Sequence, residues 1–141
     1  MAKNVKSGTR AGAVGRAPAT ERTTVAALCV AAWVIPGAGH FWLGRHQKGF
    51  VFVLALTLMF ALGLMLGGRI FPFQPSEPLV ALAAIADLGL GLPYAIAKFV
   101  GAGAGNVVGA TYEYGNTFLI VAGLLNFLVI IDAFDIALGR K

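Results

Sequence analysis

From residue 23 onward the chain alternates between long apolar stretches and short segments of glycine, proline and polar residues. The apolar stretches cover 23–43, 50–67, 78–98 and 117–138, with lengths of 21, 18, 21 and 22 residues. At a helical rise of about 1.5 Å per residue each reaches roughly 27 to 33 Å, which matches the hydrocarbon thickness of a bilayer. The pattern predicts an all-α integral membrane protein with four transmembrane helices. Residues 1–22 show no apolar period and read as a basic tail, disordered or lying on a surface. Residues 23–141 form the expected four-helix membrane domain.

The segments between the stretches carry helix-ending chemistry. "GGRIFPFQPSEP" joins the second and third stretches; Pro78 suits the first turn of a helix, with Ser76 as a possible cap. "GAGAGNVVGATYEYGN" joins the third and fourth. There Tyr112 and Tyr114 suit the headgroup level, and Asn116 can cap the last helix.

Composition agrees with lipid as the solvent: 58% of the chain is hydrophobic and 12% charged. Lysine and arginine number 11 against 6 acids, and Lys3, Lys6, Arg10, Arg16 and Arg22 all precede the first apolar stretch. No aromatic interleaving accompanies these cations, so a nucleic-acid partner is not expected and a membrane flank is. With four spans and the N-terminus inside, eight cations face the cytoplasm, against Arg45, Lys48 and Lys98 outside. An alternative uses Pro36-Gly37-Ala38-Gly39 to fold the first stretch into a re-entrant hairpin, leaving three spans; it also leaves eight cations against three. Four spans are preferred because the first stretch is long enough, and because irregular backbone at membrane depth needs protein cover. A secretory signal ending near Gly37 and Gly39 is disfavoured by the long basic region before it.

The segment "WVIPGAGHFWLGRHQKG", residues 33–49, closes the first stretch and opens the second. Its core "PGAGHFWLGRHQKG" resembles the signature of the two-transmembrane-helix domain family, over about residues 25–67. Phe41-Trp42 stands where that family has Phe-Tyr, and the polar neighbour of the histidine is missing. Taken with the later "TYEYGNTFLIVAGLLNFLVIIDAFDIALGRK", the chain is similar to a group of uncharacterised small bacterial membrane proteins. That resemblance implies a bacterial cytoplasmic membrane location and supplies no catalytic residue. In physical terms Pro36 ends or kinks a helix, and Trp42, Arg45 and Lys48 suit contact with lipid headgroups.

The polar side chains inside the apolar stretches are the candidate functional or interhelix residues. His40 can bridge two helices, and with His46 six positions away the two imidazoles do not share a helical face, so no metal site is expected. Asp87 falls in the middle of the third stretch, where an ionised carboxylate costs about 2.5 to 3.5 kcal/mol on insertion scales. Its partner is expected from another helix (His40 or Asn126) or from a second subunit. Asp132 and Asp135 share a face in the last two turns of the fourth stretch, within reach of Arg140, Lys141 or the basic tail. The single cysteine, Cys29, excludes an internal disulfide and any CxxC pair.

No nucleophile elbow, phosphate loop, metalloprotease motif or intramembrane aspartyl-protease context is present, so an enzyme is not expected and no cofactor is indicated. Glycines at 63 and 67, and again at 101, 105 and 109, recur every fourth position and suit close helix packing. The resulting expectation is a small accessory or scaffold subunit. Its partners are the bilayer and other membrane-protein subunits, or further copies of itself. The alternative is an oligomeric ion or small-solute pathway using Asp87.

Overall fold

A computed structural model describes residues 19–141. Lys3, Lys6, Arg10 and Arg16 lie outside the described residues. The described residues form six helices and no strand: α1 (Ala19–Val34), α2 (Ala38–Trp42), α3 (His46–Met65), α4 (Pro78–Leu88), α5 (Leu92–Phe99) and α6 (Tyr112–Ala137). Ala19 to Arg22 make the first turn of α1, so the tail boundary expected at residue 22 moves upstream. Pro78 and Pro93 sit in the first turns of α4 and α5, where a missing N–H costs no hydrogen bond. The caps differ from expectation, because Glu77 rather than Ser76 precedes α4, and Thr111 rather than Asn116 precedes α6.

Two helices, α3 and α6, are long and apolar enough to cross a membrane. The other two expected spans are each broken. The stretch 78–98 splits into α4 and α5, bent by 106° at Gly89–Gly91, and counts as a third span only if the bent pair is taken as one. The stretch 23–43 stops at Val34, and α2 folds back along α1. A Cβ on Gly39 would lie 3.0 Å from Ala32 Cβ and 3.5 Å from Leu28 Cδ2, contacts that a straight helix would hold more than 10 Å apart. Four uninterrupted helices are therefore replaced by two whole ones and two broken pairs.

α6 is the axis of the molecule and touches α1, α2, α3 and α4. Its buried positions are Gly115, Asn116, Leu119, Ala122, Gly123, Asn126, Val129 and Ala133. These repeat every three or four residues and form one stripe along the helix. Half of them are glycine or alanine, which brings neighbouring backbones close. α3 runs antiparallel to α6. Gly63 near its end meets Leu119 and the Gly115 carbonyl, while Phe52 near its start meets His40, which reaches Asp132.

A single device ends four of the helices. After α2, α3, α5 and α6 a glycine with positive φ (Gly44, Gly67, Gly101 and Gly139) turns the chain, and the next N–H reaches back to a carbonyl in the last helical turn. Gly67 and Gly101 are therefore helix stops. Gly103 and Gly105 also have positive φ, and Gly109 lies in the same loop, so the strip expected from 101 to 109 is not a helix face. Gly63 alone of the expected set packs within a helix, against α6.

The loops 66–77 and 100–111 are bonded together at the start of α6. The Ile70 N–H donates to Gly103 O at 2.9 Å, the Asn106 N–H to Gly67 O at 2.8 Å, and the Thr111 hydroxyl to Leu66 O at 2.8 Å. The opposite end of the bundle collects the start of α3 and the end of α6. Arg45 and Lys141 therefore lie at the same end, where the four-span arrangement had set them on opposite sides.

Candidate functional site

The Schellman turn at Gly139 brings the last two residues back over α6. Lys141 Nζ then lies 2.5 Å from Asp132 Oδ1, and Arg140 Nη1 lies 3.4 Å from Asp135 Oδ1. The second oxygen of Asp132 sits 3.0 Å from His40 Nε2. A carboxylate that holds an ammonium on one oxygen accepts on the other, so Nε2 carries the proton and donates. His40 is fully buried; its ring meets Phe52 edge-on at 5.0 Å, and its Nδ1 has no partner among the described residues. The Asp132 carboxylate holds the exposed Lys141 ammonium above its ordinary range, through a hydrogen bond and its charge. This cluster joins α2, α6 and the C-terminus.

A second cluster lies about two helical turns further along α6. The Asn126 side-chain amide donates to Gly89 O at 2.8 Å, and to Trp33 O at 3.5 Å. The Trp33 indole N–H donates to Leu88 O at 3.1 Å. All three carbonyls belong to the breaks: Trp33 O at the end of α1, Leu88 O and Gly89 O between α4 and α5. Gly91 fits against this junction with φ +65, and a Cβ there would overlap the Trp33 carbonyl oxygen. Gly123 on α6 is equally close to Ala86 O. Asp87, fully buried, accepts the Phe71 N–H on Oδ2 at 3.1 Å, and its Oδ1 has no partner among the described residues.

The expected residues thus divide between the two clusters. His40 joins Asp132, and Asp135 joins Arg140; Asn126 spans both breaks. The partner of Asp87 is a loop backbone N–H, not the His40 or Asn126 side chain. Trp42, 57% exposed, and the exposed Arg45 and Lys48 surround the start of α3 near the first cluster. Sequence reasoning missed Trp33 as a bonding residue, and gave Asn116 a capping role in place of its bond to Arg69. Asn116 Oδ1 accepts the Arg69 N–H at 2.7 Å, and both residues bond to backbone 47 or more positions away. No group of three or more His, Cys, Asp or Glu is placed to hold a metal among the described residues.

One family model spans this whole arrangement, from the second half of α1 through both clusters to the C-terminus, residues 27–141. The chain belongs to DUF6677, a family of unknown function. No curated protein and no solved structure matches it. The DUF6677 match takes in the "PGAGHFWLGR" segment together with the α6 acids, so the two clusters fall within a single family unit.

Proposed function

We propose that this DUF6677 protein is a small non-catalytic scaffold or accessory subunit of a membrane complex, acting through helix contacts. In this reading α3 and α6 span the bilayer, and the two broken pairs enter from opposite faces to meet near mid-depth beside Asn126. The end-to-end bookkeeping supports it. α3 leads away from the end that holds Lys141 and α6 returns there, while the α4–α5 pair starts from and comes back to the bonded loops at the far end. α1 begins near Leu138, and the chain is back at the same end by Arg45.

The observation that carries the scaffold reading is the use of the mid-depth polar groups. Irregular backbone in a membrane persists only where protein covers it or water fills a cavity beside it. Here Asn126 ties the Trp33 and Gly89 carbonyls to α6, the Trp33 indole joins α1 to Leu88 O, which also accepts the Gly91 N–H, and Asp87 ties α4 to Phe71, so these groups hold the two broken pairs in place. Leu82, Ile85, Leu88, Leu92 and Ile96 remain exposed on the other side of α4 and α5, an apolar face for lipid or a neighbouring subunit.

Charge supports an orientation. Arg22, Arg45, Lys48, Arg140 and Lys141 gather at one end, and Arg69 and Lys98 at the other, a bias that supports a cytoplasmic basic end in this reading. On a Cys29→Ser background, Arg45→Cys and Lys141→Cys are expected to label from the same side, and Lys98→Cys from the opposite side. Labelling of positions 45 and 141 from opposite sides would restore four spans.

One observation favours a second reading, a pathway for an ion or small solute: the unpartnered Oδ1 of buried Asp87. Two measurements separate the readings. In mild detergent a scaffold subunit co-purifies with other membrane proteins in fixed ratio, and a lone particle of one chain's mass overturns it. In liposomes the purified chain is expected to carry no proton or cation flux. Flux that is abolished by Asp87→Asn, which keeps an oxygen for the Phe71 N–H, would establish the pathway instead.

A further inference from the structure

A groove of about 850 Å³ runs between the first half of α1, the end of α2 and the last turns of α6. Its walls are apolar along its length, with Val25, Leu28, Cys29, Phe134 and Leu138 among them. From Glu21 to Cys29 the groove follows α1 for about 12 Å. Its polar lining is concentrated at one end, where Glu21 and Arg22 stand, and Trp42 forms part of its side. A lipid molecule has the same sequence of character, charged at the membrane surface and apolar below.

The sign of the charge follows from the neighbours. Among the described residues five cations gather at this end: Arg22 and, beyond the groove walls, Arg45, Lys48, Arg140 and Lys141. The acids are Glu21, Asp132 and Asp135, and the two aspartates are already engaged by Lys141 and Arg140. Arg22, Arg45 and Lys48 remain against Glu21, a net positive mouth to an apolar slot. Phosphate esters are the anions present at that depth of a bilayer, and anionic lipids enrich the cytoplasmic leaflet.

We infer that this groove binds one acyl chain of an anionic phospholipid, with the lipid phosphate held at its mouth by Arg22 and the cations beside it. The site rests on the placement of the basic end at a membrane surface, and it does not depend on whether other subunits bind. It makes the cation cluster more than a diffuse headgroup contact, because the groove selects one lipid molecule and fixes its position against α1, α2 and α6.

The test uses the full chain in bicelles. Trp33→Phe leaves Trp42, at the groove side, as the single tryptophan. Phosphatidylglycerol with brominated acyl chains is expected to quench Trp42 at about fivefold lower mole fraction than brominated phosphatidylcholine, the preference expected from one cation near the surface. Arg22→Gln is expected to erase that difference. Val25→Phe, which fills the groove, is expected to weaken quenching by both lipids. Native mass spectrometry of the wild-type chain, expected to retain phosphatidylglycerol over phosphatidylcholine, guards against a Trp33→Phe variant that fails to fold.

Equal quenching by the two lipids, unaffected by Arg22→Gln, would overturn the proposal. Competition by water-soluble glycerol phosphate would make this a free-anion site, and a two-chain particle dissociated by Val25→Phe would make a second copy the occupant; either result overturns it. The cysteine labelling reads the topology independently, so the failure of one is distinguishable from the failure of the other.

Discussion

Replacing Gly123 with valine is expected to force α4 away from α6 and to destabilise the fold in detergent by several kcal/mol. At this position even a single Cβ would sit inside van der Waals contact of the Ala86 carbonyl oxygen, and 3.3 Å from Asp87 N. The obstacle is backbone on an adjoining helix, which cannot rotate aside as a flexible side chain would. Overpacking a tight site costs about 1 to 3 kcal/mol where neighbours can shift, and more where they cannot. Separation would also pull the Gly89 carbonyl from Asn126 and strand it in lipid. Thermal unfolding followed by circular dichroism should show a drop of at least 10 °C, which at about 2 to 4 °C per kcal/mol for a chain of this size corresponds to several kcal/mol. Leu124→Val, at a 45% exposed position one residue away, should change stability by less than about 0.5 kcal/mol. A stable Gly123→Val variant would mean that α4 does not rest on α6 as described.

Asn126→Leu is expected to have the second largest effect, and it acts by subtraction. The shapes are similar, yet leucine donates nothing, so Gly89 O and Trp33 O lose their amide partner. Leaving a buried acceptor unsatisfied costs about 1 to 3 kcal/mol. Membrane hydrogen bonds average less, about 0.6 kcal/mol, because the unfolded chain in lipid finds other partners. Two carbonyls at helix breaks depend on one amide, though one bond is 3.5 Å long and leucine also removes an Asn126 Oδ1 that has no partner among the described residues, so the middle of the range applies, about 2 kcal/mol. Trp33→Phe removes the bond to Leu88 O at the same junction, so the double variant should lose less than the two single variants together. Strict additivity would show that the two bonds act on separate structures, and it would remove the idea of a common junction. Both measurements belong in detergent or bicelles, with Cys29 accessibility as a second readout of whether α1 has left α6.

Much of this protein was legible from residues alone. The presence of helices apolar and long enough for a membrane followed from four stretches of 18 to 22 apolar residues, and α3 and α6 overlap two of them. The attachment of Arg140 and Lys141 to the α6 acids was open to reading, because all four residues lie within ten positions and a glycine capable of a left-handed turn stands between them. Helix stops at Gly67 and Gly139 follow the ordinary rule for a left-handed C-terminal residue. The expectation failed where Gly63 and Gly67 were given one role. Their spacing is that of a packing strip, but one meets α6 and the other ends α3.

The breaks were harder. Apolar length cannot distinguish a 21-residue span from two half-helices, since lipid accepts both lengths of side-chain surface and only the backbone between them differs. "IPGAG" and "GLGLP" both contain the residues that break helices, yet whether the chain kinks or turns back depends on what receives the freed carbonyls. Asn126 receives them, Trp33 adds a bond from α1 to Leu88 O, and the small Gly123 lets the second break approach, all from elsewhere in the chain. The pairing of His40 with Asp132, 92 positions apart, is of the same kind. Local chemistry by itself determined the apolar character of the helices, the helical class and the points at which several helices stop, because those depend on side-chain transfer energies and neighbouring backbone angles. Tertiary structure alone decided which stretches break and turn back and which polar atoms meet, because each of those outcomes needs a hydrogen-bond partner supplied by a distant segment.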